Sequence, residues 1–195
     1  MKLTSFIFIN LSLVLAYGCS SGSDSADKAN KINEERIDKQ AVAVSSDAKD
    51  EAKDVTRNMV ELANTSMTEY ELSKVALQKA TNPEVKSYAR TAMNDHQQDD
   101  RTLQSIAKQM NVVLPSAINS KSKNHVDKLN DMKSGTEFDT QYLDYMASIN
   151  DDALDVADDL KDDAPTDAVK TFAKKLIDDD RKHKDQAKQL KNALD

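Results

Sequence analysis

The chain has 195 residues, of which 31% are charged and 38% hydrophobic, with only three glycines, three prolines and a net charge of -7. Few turn formers and many good helix formers predict a mostly helical protein. The acidic balance argues against binding to nucleic acid, whose phosphates it would repel, and leaves no basic patch for anionic lipid headgroups. The single cysteine, Cys19, excludes an intramolecular disulfide.

Residues 1–18 have the features of an export signal peptide. Lys2 supplies the positive start, and the apolar run that follows, about 13 residues, is too short for a membrane-spanning helix. The segment Leu15–Gly18 before Cys19 resembles the cleavage site of a bacterial lipoprotein and predicts a lipid anchor on Cys19. Ser20 then favours delivery to the outer membrane, with the domain facing the periplasm or the cell surface. The open alternative is ordinary secretory cleavage, which would leave a protein without an anchor.

Residues 19–53 are polar and charged with few large apolar side chains, which predicts a flexible tether. The folded domain is then predicted over residues 54–195. Apolar residues that repeat at alternating steps of three and four predict four long amphipathic helices in it. These helices are predicted at residues 54–80, 82–110, 136–161 and 165–193.

The connections between these helices predict how they are arranged. The turn at Thr81–Pro83 is so short that the first two helices must be antiparallel. Residues 115–135 contain one short predicted helix, at 123–132, and are long enough to retrace the second helix, which is about 42 Å long. The third helix can therefore run parallel to the second. The sequence predicts an all-α four-helix bundle with one long crossover that carries a short helix.

Polar side chains interrupt the apolar face of each long helix near its midpoint. They are Glu69 on the first helix, His96 and Asp99 on the second, Asp152 on the third, and Asp180 and His183 on the fourth. A buried polar group without a partner costs about 1–3 kcal/mol, and an unpaired charge costs more. These groups must therefore pair with one another, contact water or bind cations. Bundles that bind two metal ions use a similar ligand set, so iron or manganese is the candidate cofactor.

Two features of this set weigh against a metal. Asp180 and His183 have the carboxylate-x-x-His order of dinuclear bundles, but His96 and Asp99 have the reverse order. Most of the acids are also aspartates, which reach less far toward the bundle axis than glutamates. The sequence therefore favours a layer of hydrogen bonds and salt bridges that fixes helix register, with a metal site as the alternative. A third, weaker alternative is a small ligand bound beside the tyrosines Tyr88, Tyr142 and Tyr145.

Three segments resemble the bacterial domain-of-unknown-function family 4142: residues 67–72 (MTEYEL), 82–89 (NPEVKSYA) and 93–96 (MNDH). The resemblance implies a ferritin-like bundle in exported or outer-membrane proteins. The polar positions that the family marks are Glu69, Glu71, Asp95, His96 and His183. The family usually has a histidine four residues after a methionine in the third helix. Here Asn150 takes that position, which implies the loss of a ligand if the family binds metal there.

The sequence contains no nucleophile constellation, glycine-rich phosphate loop or cysteine cluster, so we do not expect an enzyme. It predicts a lipid-anchored envelope module with a binding, structural or stress-related role, whose protein or small-ligand partner is not indicated. The alternative is a metal-binding bundle with an oxidoreductase or metal-handling role.

Overall fold

The computed structural model describes residues 24–39 and 45–194, which form six helices. They are α1 (Ser25–Asp38), α2 (Ser46–Lys79), α3 (Pro83–Met110), α4 (Ser120–Asp131), α5 (Thr136–Asp162) and α6 (Asp167–Asn192). The long helices α2, α3, α5 and α6 form the bundle. Of the helices described, none is both long and apolar enough to cross a membrane. The predicted signal peptide and Cys19 lie outside the described residues.

The helix α3 begins and ends at good capping residues. The Asn82 side chain accepts hydrogen bonds from the backbone N–H groups of Glu84, at 2.7 Å, and Val85, at 3.3 Å. Pro83 occupies the first turn, where a missing N–H costs nothing. At the other end Asn111 adopts a left-handed conformation with φ of 56°, which asparagine tolerates better than most residues.

The packing at the two ends of the bundle confirms the predicted crossover. Phe138, at the start of α5, packs in one cluster with Ala80 after α2 and Val85 at the start of α3. At the opposite end, Leu160 of α5 packs in one cluster with Ile106 of α3. The helices α3 and α5 therefore run in the same direction. Each of them packs against both α2 and α6, which gives the one-crossover bundle.

A buried aspartate joins the start of α5 to the turn between α2 and α3. Asp139 is fully buried in the first turn of α5. Its carboxylate accepts hydrogen bonds from the backbone N–H groups of Thr81, at 3.0 Å, and Asn82, at 2.8 Å, and from the Thr81 hydroxyl, at 2.8 Å. Because these donors belong to the turn between α2 and α3, Asp139 fixes the relative positions of three helix ends.

The stretch predicted as a flexible tether differs from that prediction. It contains α1 and the first turns of α2, which begins at Ser46 and not near Asp54. The small residues Ala26 and Ala29 of α1 pack against Val60 of α2. The composition suggests a spacer because the buried stripe of α1 consists of two alanines, Asn33 and a single large apolar residue, Ile37. Such a stripe lets α1 lie close to α2, but few large apolar residues mark it in the sequence.

Candidate metal centre

The core of the bundle has two apolar halves with a band of buried polar side chains between them. One half contains Leu103 and Phe172, and the other contains Leu72 and Phe138. We call the residues between them the central polar layer: Glu69, His96, Asp99, Asn150, Asp180 and His183. None of these six residues is more than 4% exposed. The polar side chains of the four helices thus meet at one level of the bundle.

The helical repeat explains why these polar residues are buried. On α3, His96 and Asp99 continue the stripe that contains the buried residues Ala92 and Leu103. On α6, the corresponding stripe passes from Leu176 through Asp180 and His183 to Ala187. The apolar turns on both sides hold each helix against its neighbours. The polar turns between them are buried with the rest of the stripe.

His96 is neutral and pairs with a carboxyl group through one nitrogen only. Its Nδ1 lies 3.2 Å from Oε2 of Glu69. Burial, with a contribution from nearby His183, lowers the pKa of His96 to about 3, so the ring carries one proton. The other nitrogen, Nε2, is buried with no hydrogen-bond partner among the described residues. When Nδ1 donates its proton to Glu69, the lone pair of Nε2 is free.

His183 repeats this arrangement on the neighbouring helix. Its Nε2 lies 3.2 Å from Oδ2 of Asp95, whose side chain is 45% exposed, while its Nδ1 is buried without a partner in the described part of the chain. Burial lowers the pKa of His183, although Asp95 opposes that shift. The centroids of the His96 and His183 rings are 5.2 Å apart. Metal-binding histidines have this pattern, in which a carboxylate orients the ring and the other nitrogen binds the ion.

The buried carboxyl groups of the layer have few cationic partners among the described residues. Burial, together with the charges of Asp180 and Asp99, raises the pKa of Glu69 well above its usual range. Burial and the charge of Asp99 also raise the pKa of Asp180 to about 8. Asp99 has a direct cationic partner, since Lys175 Nζ lies 2.5 Å from its Oδ1. Burial in this layer therefore favours the protonated form of both Glu69 and Asp180, and a bound cation would oppose that effect.

The arrangement fits a metal ion. Glu69, His96 and Asp180 each offer a ligand atom, and these three atoms lie within 4.8 Å of one another. Unpartnered atoms surround them: within the described residues, Oε1 of Glu69, Nε2 of His96, Oδ2 of Asp99, Oδ1 of Asn150 and Nδ1 of His183 have no hydrogen-bond partner. Every one of these atoms is an oxygen or nitrogen that can bind a metal. An internal layer of hydrogen bonds would leave fewer of them unpaired.

The prediction for the third bundle helix is wrong at Asp152. Its side chain is exposed, and the buried polar residue of α5 is Asn150, whose Nδ2 donates to the carbonyl oxygen of Met146 at 2.7 Å. The apolar repeat that leads to Asp152 passes through Tyr145 and Ile149, which are only partly buried in the bundle. They lie instead on the side of α5 that faces the crossover, where the rings of Tyr145 and His125 stack at 4.7 Å. The helix has two apolar faces, and the sequence pattern selected the wrong one.

The other marked residues have different positions. Glu71 is partly exposed and forms an ion pair with Lys74, at 3.2 Å. Asp95 contacts the layer from its rim, through His183. Sequence reasoning missed Lys175, the partner of Asp99, because it lies among exposed charged residues of α6. The only signal was its spacing of four residues from Asp179, with which it also pairs, at 2.9 Å.

The buried tyrosines use their hydroxyl groups within the bundle. Tyr88 donates to the backbone oxygen of His183 at 3.2 Å, and the Tyr142 hydroxyl lies 2.9 Å from Ser73 Oγ. Burial raises the pKa of both phenols, so neither is ionised near neutral pH. Their rings close one side of the central polar layer and separate it from the apolar half around Phe138.

A one-crossover bundle with carboxylates and histidines at its centre defines the class of ferritin-like helical proteins. Residues 39–190 match the family described as DUF4142, a domain of unknown function, and the chain belongs to this family. No curated protein shows significant similarity to the chain.

Solved structures of other proteins share the fold. A DUF305 fragment from Deinococcus radiodurans is 13% identical, with a TM-score of 0.64 over 72% of this chain and 96% of that one. A DUF305 protein from Streptomyces coelicolor, described as secreted, is 11% identical, with a TM-score of 0.63 over 72% and 92%. CopM in its Cu(II)-bound form is 18% identical, with a TM-score of 0.63 over 72% and 97%. At these identities the likeness establishes a common helical-bundle fold.

Proposed function

We propose that this protein is a metal-binding module of the bacterial cell envelope, in which Glu69, His96 and Asp180 hold one divalent transition-metal ion. One observation carries the proposal. Each of the two buried histidines pairs one ring nitrogen with a carboxyl group and leaves the other nitrogen unpartnered in the central polar layer. A ring that a carboxyl group holds at one nitrogen, with the other nitrogen open, has the orientation that a metal-binding imidazole requires.

The electrostatics of the layer favour a bound cation. Glu69 and Asp180 repel each other when both are ionised, and burial removes the water that would stabilise them. A divalent cation would neutralise both carboxylates at once, so its binding would release the protons that they hold. His183 and Asp99, with their unpartnered atoms in the same layer, would be available as further ligands.

The donor set narrows the choice of metal. Imidazole nitrogen with carboxylate oxygen suits iron, manganese, zinc and Cu(II), whereas no thiolate in the described residues would favour Cu(I). Iron and manganese fit best, because carboxylate-rich bundles of this fold commonly bind them. The structural neighbour CopM, described in a Cu(II)-bound form, supports a metal-handling role and makes copper the metal to compare with them.

Elemental analysis and equilibrium titration of the purified protein test the proposal. After reconstitution with Mn²⁺, Fe²⁺, Zn²⁺ or Cu²⁺, we expect one bound ion per chain for at least one metal. His96→Leu or Asp180→Asn should weaken binding by roughly 100-fold, because the first removes a ligand atom and the second removes the negative charge of a ligand.

His125→Ala provides the matched histidine control. His125 stacks on Tyr145 beneath the crossover and contributes nothing to the central polar layer, so this variant should bind metal as the wild type does. If no metal binds stoichiometrically to the reconstituted wild type, the metal proposal is wrong. The central polar layer then serves to fix the register of the helices through hydrogen bonds.

We further propose that Cys19 carries the lipid that anchors the domain in the outer membrane. The export signal and the cleavage segment before Cys19 support this location, and one structural neighbour is described as secreted. The predicted tether does not separate the anchor from the bundle completely, since α1 packs against α2. The described part of the domain therefore begins at Asp24, within a few residues of Cys19.

Replacing the cysteine tests the anchor. Cys19→Ala should move the protein from the membrane fraction to the soluble envelope fraction and remove incorporation of labelled palmitate. Ser20→Ala, which keeps the thiol, should leave both unchanged. A wild-type protein that incorporates no label and is found in the soluble fraction would show ordinary secretory cleavage instead.

A further inference from the structure

A cleft connects the surface of the bundle to the central polar layer. It lies between α2, α3, the connector after α3 and α4, and it has a volume of about 710 Å³. His96, only 2% of which is exposed, is one of the residues that line this cleft. The side chain of this residue has the unpartnered Nε2 and belongs to the candidate metal-binding set. The volume of the cleft exceeds that of a hydrated ion.

The residues that line the cleft carry an excess of negative charge. Lys123 Nζ lies 2.5 Å from Asp127 Oδ2, so these two charges largely cancel. Glu71 and Asp100 remain, and they belong to two different helices, α2 and α3. The ion-pair partner of Glu71, Lys74, is half exposed and is not a lining residue. Carboxylates that line a cleft raise the local concentration of cations and their rate of association.

One wall of the cleft is formed by the connector after α3, and α1 holds this connector in place. The Asn33 side chain both donates to the backbone oxygen of Val113, at 2.9 Å, and accepts from its N–H, at 2.8 Å. Ser25 Oγ accepts from the N–H of Ser116, which lines the cleft, at 2.8 Å. The connector is thus fixed by hydrogen bonds to a packed helix, and the cleft is preformed.

We propose that this cleft is the entry route by which a hydrated divalent cation reaches the central polar layer, with Glu71 and Asp100 as the carboxylates that draw it in. The proposal rests on the proposed metal-binding function and adds the path and the residues that control the rate. Glu71 and Asp100 are not final ligands. They act on association and dissociation together, because an ion that leaves must pass them again.

Stopped-flow mixing of the metal-free protein with Co²⁺, followed by the visible absorption of the bound ion, tests the route. Glu71→Gln with Asp100→Asn should slow association by about tenfold at low ionic strength. The difference should shrink to less than about twofold in 0.5 M salt, because salt screens exposed charges. The dissociation constant should change by less than about threefold, since the ligands in the layer are intact. Glu84→Gln with Asp178→Asn removes the same charge from exposed positions of α3 and α6 and should leave the rates unchanged.

A steric block gives an independent measurement. Ala117 is an exposed lining residue of the cleft, and Ala117→Trp should slow both association and dissociation of Co²⁺ while the dissociation constant stays the same. Ala168→Trp, at an exposed position of α6, is the matched control. If Co²⁺ binds at equilibrium with wild-type rates in both cleft variants, the entry route is wrong and the metal site stands. If no Co²⁺ binds to the wild type at all, the proposed function fails, and the entry route fails with it.

Discussion

Saturating metal is expected to raise the free energy of unfolding of the wild-type protein by about 4 kcal/mol when the free ion is present at about 1,000 times its dissociation constant. Because His96→Leu should weaken binding by roughly 100-fold, it should reduce this gain to about 1.4 kcal/mol at the same concentration of free ion. In the absence of metal, the same variant should be as stable as the wild type or more stable. Leucine continues the apolar stripe of α3, and the substitution removes a buried nitrogen that has no partner among the described residues. Urea unfolding with a chelator and with added metal measures both effects.

The control for this prediction is again the third histidine. His125→Ala should keep the full metal-dependent gain, because His125 lies under the crossover and not in the central polar layer. A His96→Leu variant that keeps the gain would show that the ion stabilises the protein from another site. A loss of more than about 2 kcal/mol in the metal-free variant would show that the contact between His96 and Glu69 is itself a main stabilising interaction.

The metal-free protein should lose about 2 kcal/mol of stability between about pH 6.5 and 8.5 through Asp180 alone. Its pKa is raised from 3.8 in the unfolded chain to about 8 in the fold. The folded state therefore binds a proton that the unfolded state has released, and stability falls as the pH rises toward 8. The raised pKa of Glu69 acts in the same direction. The lowered pKa values of His96 and His183 act in the opposite direction, but only below about pH 6.5.

Asp180→Asn should remove the contribution of Asp180 to this pH dependence, because the amide does not titrate, and should leave only the part due to Glu69. Asp178→Asn, at an exposed position beside Arg181, should leave it unchanged. The measurement is urea unfolding in the presence of a chelator across the pH range. Equal pH dependence in the wild type and in Asp180→Asn would show that the carboxyl group of Asp180 is hydrated in the fold. Added metal should reverse the slope, since deprotonated ligands bind the ion more tightly.

Local sequence signals predicted the bundle well, because each depends on neighbouring residues. Asn82 and Pro83 predict the start of α3, and the structure has the expected cap there. The short turn before Asn82 fixes the antiparallel pairing of α2 and α3. The length of the chain between α3 and α5 predicts the crossover, and the packing of Phe138 beside Val85 confirms it.

Long-range packing explains the differences from the prediction. Asn150 and Asp152 each lie on a face of α5 that carries apolar residues at helical spacing. The position of α4, the helix in the crossover, decides which of these two faces is turned to the bundle axis. Likewise, Asn33 looks like a spacer residue in the sequence. It becomes a buried partner of Val113 because α1 lies against the connector.

The amino-acid sequence is enough to predict the four amphipathic helices, their order and the ionisable residues in the middle of their apolar stripes, because helix periodicity and capping act within a few residues. The packing of the helices was needed to show that Glu69, His96 and Asp180 share one buried centre and that Asp152 does not. Tertiary structure also decided that each histidine has one paired and one unpaired nitrogen. Those properties depend on the rotation of each helix about its own axis, which is set by the side chains of its neighbours.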